Sequence, residues 1–341
     1  MGGDSANHDT SAFRLVRVLL IAAIAVYSIK YSIRAELKSL YSFICFILLS
    51  IAVQVFYPNH FFFSIWKLIE ISVAFVAINV IVRGDYKSID LLRKWTRALL
   101  IINLGVAFVL PDISFSTIEG SVFSQQLRGS FFTMNPNDIG FWSALCLLTE
   151  DKKLYKALLF VSLILSQSRI YLVLVGIVFF INMSLYWRVI IITFGILVYG
   201  VTMDLLLDFF IRTENASELI TLNGRTGYAL IGLQAWMQSP WIGWGYYTGI
   251  RFLGDTGYGI PFYSNTFDNG IVDILVSSGI IGLILYISSF SAIYYDKRIR
   301  IFVVFLMVRF ISGPGVSSFT LQYLLLVSLL HEGYSHRINR V

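Results

Sequence analysis

Eleven mainly apolar runs, separated by polar gaps, constrain this chain more than any other feature: residues 13–29, 40–57, 61–82, 98–112, 137–149, 154–168, 169–185, 188–203, 268–295, 300–312 and 317–331. A helix needs about 20 apolar residues to cross a bilayer, and about 17 at the lower limit. The fifth and tenth runs are short for this and predict tilt or local thinning of the bilayer. Only 13% of residues are charged and 57% are hydrophobic, with a mean hydropathy of +0.75. Soluble domains carry about 25% charged residues, so an ordinary soluble enzyme is excluded. Disorder is excluded too, since it requires low hydrophobicity. Phe 28, Tyr 19 and Trp 7 supply the aromatic belts that anchor helices at both faces of a membrane. The expected fold is all-α: a polytopic membrane protein of about eleven spanning helices in a single integral domain, 1–341. It has an outer loop at 113–136 and a large outside loop at 204–267 bearing short interfacial helices.

The basic residues orient these helices. With alternate gaps assigned to the cytoplasm, seventeen of the 26 Lys and Arg residues fall inside and seven outside, leaving Lys67 and Arg309 within helices. This bias puts the C-terminus in the cytoplasm. It turns the net charge of +6 into a topology signal and leaves no case for nucleic acid. The outside set is Arg14, Arg17, Arg128, Arg169, Arg212, Arg225 and Arg251, with no Lys. Arg is a permanently charged, forked donor suited to phosphate oxygens, whereas Lys is a point charge. The plain alternative is chance in a small sample.

Cys45 and Cys146 both lie in apolar runs and read as small buried hydrophobes. No Cys/His cluster and no phosphate-binding glycine loop occurs, so no metal or cofactor is expected. The start is polar as far as Ser11, and the run at 13–29 lacks a small-residue cleavage pattern, so it is expected to be a retained helix.

Four polar segments break the apolar pattern. In the first, Arg128-Gly129 precedes Asn135-Pro136-Asn137 and Gly140. Asn135 suits a helix N-cap and Pro136 the first helical position. Free N–H groups at such a helix start and the nearby Arg128 can converge on one anion; the plain alternative is a cap with a solvated Arg. In the second, Ser166-Gln167-Ser168-Arg169 forms a tight turn between two helices, and Arg169 either binds an anion or snorkels to headgroups. In the third, Asn223-Gly224-Arg225 leads into a short helix that ends before Pro240, with Trp241-Ile242-Gly243-Trp244-Gly245-Tyr246-Tyr247 following. These flat rings beside glycines suit stacking on sugars or an interfacial belt. The fourth opens a helix from outside with Asp268-Asn269-Gly270, carries Asp273 deeper, and continues through Gly279 and Gly282. Asp268 is expected to be its N-cap. Either carboxylate can serve as a proton acceptor. Within the apolar runs, Lys67 and Glu70 stand three apart and are expected to pair. Arg309 has no partner nearby in sequence.

These segments, in this order over about residues 125–290, resemble the O-antigen ligase/polymerase family of membrane glycosyltransferases. The likeness is carried by Arg128-Gly129 with Asn135-Pro136-Asn137 and Gly140, by Ser168-Arg169, by Gly224-Arg225 with Pro240, Gly243 and Gly245, and by Asp268-Asn269 with Gly279 and Gly282. It implies a GT-C-like, metal-independent enzyme in the bacterial inner membrane, with its site facing the periplasm. The expected substrates are undecaprenyl-diphosphate-linked oligosaccharides, and a chain-length regulator and a flippase are expected partners. The resemblance assigns Asp268, Asn269 and Arg225 to catalysis and Arg128, Arg169 and Arg225 to the diphosphate. Asn135, Asn137, Trp244, Tyr246, Tyr247 and Asp273 complete the expected substrate contacts. Ligases of the family carry His-Asn where this chain has Asp268-Asn269, so the departure leans toward a Wzy-type polymerase. A ligase acting on lipid A-core, a peptidoglycan glycosyltransferase of the SEDS type and a flippase for lipid-linked sugars are the other readings.

Overall fold

Backbone N–H and C=O groups in hydrocarbon must satisfy one another, which makes the helix the default for apolar runs like these. The computed structural model describes residues 37–57, 61–81, 88–117, 125–127, 136–193, 225–246, 267, 269–290, 300–313 and 321–338, and it is mostly helical. In chain order the helices are α1 (Leu37–Phe56), α2 (Phe61–Ile81), α3 (Ser88–Val109) and a single turn, α4 (Pro111–Ser114). After strands β1 (Phe115–Thr117) and β2 (Gln125–Leu127) come α5 (Pro136–Thr149), α6 (Lys153–Ser166), α7 (Arg169–Asn182) and α8 (185–193). The last four are α9 (Arg225–Gln238), α10 (Gly270–Ser289), α11 (Arg300–Ser312) and α12 (Leu321–Ile338). The run at 13–29 lies outside the described residues; each of the other ten runs holds a helix.

Three expectations change. α3 begins at Ser88, ten residues before its apolar run, because Arg93, Lys94 and Arg97 extend the helix beyond its apolar part. The all-α expectation gives way to a short ribbon, where β1 and β2 pair antiparallel, Phe115 opposite Leu127 and Thr117 opposite Gln125. Cys45 is exposed, not buried like Cys146. An apolar run that meets both protein and lipid has no polar face to show which side is inner. Among the described residues, two segments are long and apolar enough to cross a membrane, Ser39–Phe56 and Gly270–Ser289, while Arg169–Asn182 and Ile301–Ser312 are apolar but shorter. The count of eleven crossings thus rests on the sequence alone.

The described residues form two compact units, one within 1–91 and 225–341, the other within 92–224. In the first, α10 packs along α1, and α12 along α2. Phe43, Phe46, Phe75, Tyr286, Phe290 and Tyr323 form its aromatic core, with Phe43 and Phe75 stacked at 3.9 Å. The buried Tyr323 hydroxyl donates to the Ile71 carbonyl over 3.1 Å, so it is not left unsatisfied in an apolar interior. Glu70, also buried, accepts from Lys67 Nζ at 2.9 Å and from Trp66 Nε1 at 3.0 Å. That is the structural pair the spacing predicts.

In the second unit α5 is the central helix: every residue from Ile139 to Leu147 is buried. An all-round apolar helix belongs inside a bundle, which explains how 14 residues suffice here. Arg93 Nη1 donates to the Thr149 carbonyl at the end of α5, over 2.7 Å. Arg97 pairs with Glu150, and its guanidinium also lies 4.5 Å over the Tyr155 ring. Burial acts to raise the Glu150 carboxyl, but the Arg97 hydrogen bond and the Lys152 and Asp151 N–H groups outweigh it and hold it below the usual carboxylate range.

Candidate functional site

Each unit brings two of the four polar segments together. In the second unit they are the first and second segments. α5 opens at Pro136 with its missing N–H at a position that needs none. The turn at 166–169 is made by Gln167 in the left-handed region, φ 48 and ψ 32, which ends α6 and lets Ser168 start α7. Ser168 does not cap α7 with its side chain; its Oγ donates instead to Asn137 Oδ1 over 3.2 Å. Gly140 lets this turn approach, since a Cβ there would stand 2.3 Å from Ser168 Cβ and 2.8 Å from its Oγ. Gln126 Nε2 donates to the Ser166 carbonyl over 2.6 Å, so the strand leading to residue 128 is tied to the turn that carries Arg169. Arg169 is half-buried in the first turn of α7. Arg128 and Asn135 lie outside the described residues.

The first unit unites the third and fourth segments through a broken helix. α10 departs from helical geometry at Gly279, with φ 63 and ψ −168. Such a break strands carbonyls before it and N–H groups after it, which in a membrane must find other partners. The 239–246 loop supplies them. Trp244 N and Gly245 N donate to the Val276 and Ser277 carbonyls over 2.8 and 2.9 Å, and Ile280 N and Ile281 N donate to the Pro240 and Trp241 carbonyls over 2.9 and 3.3 Å. Gly243 and Gly245, with φ of 72 and 105, give the loop its shape. Gly243 and Gly279 are also where the two backbones touch: a Cβ at Gly279 would lie 2.2 Å from Trp241 C, and one at Gly243 2.5 Å from Ser278 N. Beside the break, Ser50 Oγ donates to the Phe46 carbonyl over 2.9 Å. Its only proton is thereby used, which makes Ser278 the donor in their 3.2 Å hydroxyl pair.

The amino end of α10 corrects one expectation. Asn269 is the N-cap, its side chain accepting from Ile271 N at 3.0 Å and Val272 N at 3.2 Å. Asp268, which precedes the cap, lies outside the described residues. Asp273 is buried as expected, and its Oδ1 accepts from Phe267 N over 3.3 Å, a bond that fixes the chain entering the helix. α9 runs from Arg225 to Gln238 as predicted, though it packs on α10, with Gly232 against Val272 and Phe267. Only the backbone of Arg225 is described, at the first position of α9. Trp244 Nε1 donates to the Ala235 carbonyl over 2.8 Å, and its ring stands 5.1 Å from that of Tyr57. Tyr246 is 3% exposed with its ring against Phe46, so it serves the core and presents no open face for a sugar. Tyr247 lies outside the described residues.

Residues 154–287 match the family described as O-antigen ligase. The match is confined to this segment. The domain extends from α6 into α10 and takes in Ser168-Arg169, Gly224-Arg225 and Asp268 to Gly282, so it covers three of the four segments behind the resemblance. It begins later than the resemblance, leaving Arg128 and the start of α5 before it. The O-antigen ligase family comprises bacterial integral membrane enzymes of the ligase and polymerase type, acting on lipid-linked glycans in polysaccharide biosynthesis. A comparison with curated proteins finds no match in sequence.

Neither the broken helix nor the Gly140 contact can be read from the sequence. A signal was present: Ser277-Ser278-Gly279 and Gly282 interrupt an otherwise apolar helix, and glycine there marks close backbone approach.

Proposed function

We propose that this protein polymerises undecaprenyl-diphosphate-linked oligosaccharide repeats at the periplasmic face of the bacterial inner membrane. The growing chain passes to the non-reducing end of a new repeat, and undecaprenyl diphosphate is released. The O-antigen ligase domain at 154–287, with its motif residues in order, is the observation that carries this reading. Asp268 in place of the ligase histidine favours polymerisation over transfer to lipid A-core.

In this mechanism the acceptor hydroxyl oxygen attacks the anomeric carbon as the bond to the diphosphate oxygen breaks, inverting that centre. Asp268 receives the hydroxyl proton, a role that contributes roughly 10²–10⁴ in rate where it operates. Asn269 spends its Oδ1 on the helix cap, so its amide N–H groups are the ones that orient the acceptor. Arg128, Arg169 and Arg225 neutralise the charge gathering on the diphosphate, the electrostatic form of catalysis that needs no metal. Asn135, Asn137, Trp244 and Tyr247 are assigned to the sugars.

The surface glycan profile of a deletion strain tests the proposal. Single repeats on the core without long chains are the expected outcome. Absence of any attached glycan would point instead to the ligase reading or the flippase reading. Full-length chains persisting in the deletion strain would refute all three.

A further inference from the structure

Six cations and two carboxylates lie in two short stretches, Arg93 to Arg97 and Glu150 to Lys156. The second unit holds these stretches together. Arg93 Nη1 donates to the Thr149 carbonyl, Arg97 pairs with Glu150, and the Tyr155 ring has the Arg97 guanidinium 4.5 Å and Lys152 Nζ 5.6 Å from its centroid. Glu150 is thus engaged inside the protein, because its other oxygen accepts from the Asp151 and Lys152 N–H groups at 3.1 and 3.2 Å. Asp151 is the one carboxylate left in these stretches. Lys94, Lys152, Lys153 and Lys156 are all exposed, and none forms an ion pair with a carboxylate among the described residues. Lys152 and Lys156 stand four apart at the start of α6, where like charges repel and where no acidic residue offsets them. Such a surface favours an anion from outside the chain. Both helices also carry an outward apolar stripe running away from these lysines: Trp95, Ile102 and Val109 on α3, and Leu154 and Val161 on α6. Seven residues make about two turns, so each stripe keeps to one side of its helix. The lysines therefore stand where apolar surface suited to lipid ends, with Trp95, 65% exposed, as an interfacial anchor.

We propose that Lys94, Lys152, Lys153 and Lys156 form a binding surface for the phosphate headgroups of anionic phospholipids beside α3 and α6; this rests on the membrane reading of the apolar runs and not on glycosyl transfer. Long Lys side chains lay their stems along apolar surface while their ammonium groups reach the headgroups. Arg93 and Arg97 hold the two stretches in register through Thr149 and Glu150, and the lysines supply the charge that meets lipid. The attraction is electrostatic and falls off within a Debye length.

The test mixes the full-length protein, in a neutral detergent, with equal amounts of phosphatidylglycerol and phosphatidylcholine and counts bound lipids by native mass spectrometry. Wild type is expected to retain phosphatidylglycerol in preference. Lys94→Gln, Lys153→Gln and Lys156→Gln combined should cut that preference tenfold or more, since one lysine near an anionic surface contributes about fivefold. The three single variants should each lose part of it, and they decide the matter if the combined variant fails to accumulate. Arg at the same three positions keeps the charge and should keep the preference. Salt at about 1 M, where the Debye length is about 3 Å, should abolish it. Equal retention of both lipids by wild type, or an unchanged preference in the Gln variants, overturns the proposal. Free glycerol phosphate that displaces phosphatidylglycerol at equal concentration would also overturn it, assigning the surface to a soluble phosphate. Protein recovered in the soluble fraction of cells would defeat the membrane reading and this proposal with it, whereas membrane-bound protein without a lipid preference would defeat the proposal alone.

Discussion

At the scale of single residues, polar side chains in this protein work chiefly by closing the accounts of neighbouring backbone. Asn269 caps α10, Asp273 receives the Phe267 N–H and Ser168 turns from its own helix to Asn137. Asn269 and Asp273 were legible as important because polar residues are scarce in this chain, but their partners were not, since spacing alone does not tell a cap from a base. Glu150 offers a direct test of one such role. Its carboxyl titrates below the ordinary carboxylate value of about 4.3, so the Arg97–Glu150 pair contributes fully above that value and is lost as pH falls through the lower, folded value. Glu150→Gln should therefore cost roughly 1–3 kcal/mol at neutral pH. Thermal melts in detergent should show the gap from wild type holding down to about pH 5 and closing below about 4.3. A gap that stays constant through that range would count against the pair.

The element that most shapes the first unit is α10, a helix in two pieces. A continuous helix would need nothing from the 239–246 loop; the break at Gly279 makes that loop part of the helix's own hydrogen bonding. The glycines of the third and fourth segments are thus explained by backbone contact before any role in substrate binding. Gly279→Ala should cost about 2 kcal/mol or more, since it combines a disfavoured φ with overlap against the Trp241 carbonyl. By contrast, Gly176→Ala in α7 meets nothing within 4 Å and should stabilise by up to about 1 kcal/mol. Melting both variants side by side checks the argument, and equal effects would refute it. Existence of the helices was readable from apolar runs because hydrocarbon leaves the backbone few other options. The break was not, because it depends on a partner loop some forty residues away in sequence, Trp241 against Gly279.

For the molecule as a whole, surface chemistry and charge point to the same environment. Ile170, Val173, Ile177 and Ile181 all face outward along α7, as do Tyr41, Ile44, Leu48 and Val55 along α1, surfaces suited to lipid and not to water. The excess of basic residues on one set of gaps then predicts a cytoplasmic C-terminus. A C-terminal alkaline phosphatase fusion should be inactive and a green fluorescent protein fusion bright; the reverse would overturn the orientation. The apolar runs, the helix class, the order of the four segments and the family match over 154–287 follow from the sequence by itself, because each depends on residue type and order along one chain. Tertiary structure alone decided that Asn269 caps α10, that Tyr246 belongs to the core and that Cys45 faces outward. It also decided that Gly140 and Gly279 are places of contact and that Phe310 adjoins the start of α10. These depend on which surfaces meet, and an apolar helix whose faces all look alike in sequence does not declare which side it turns toward protein.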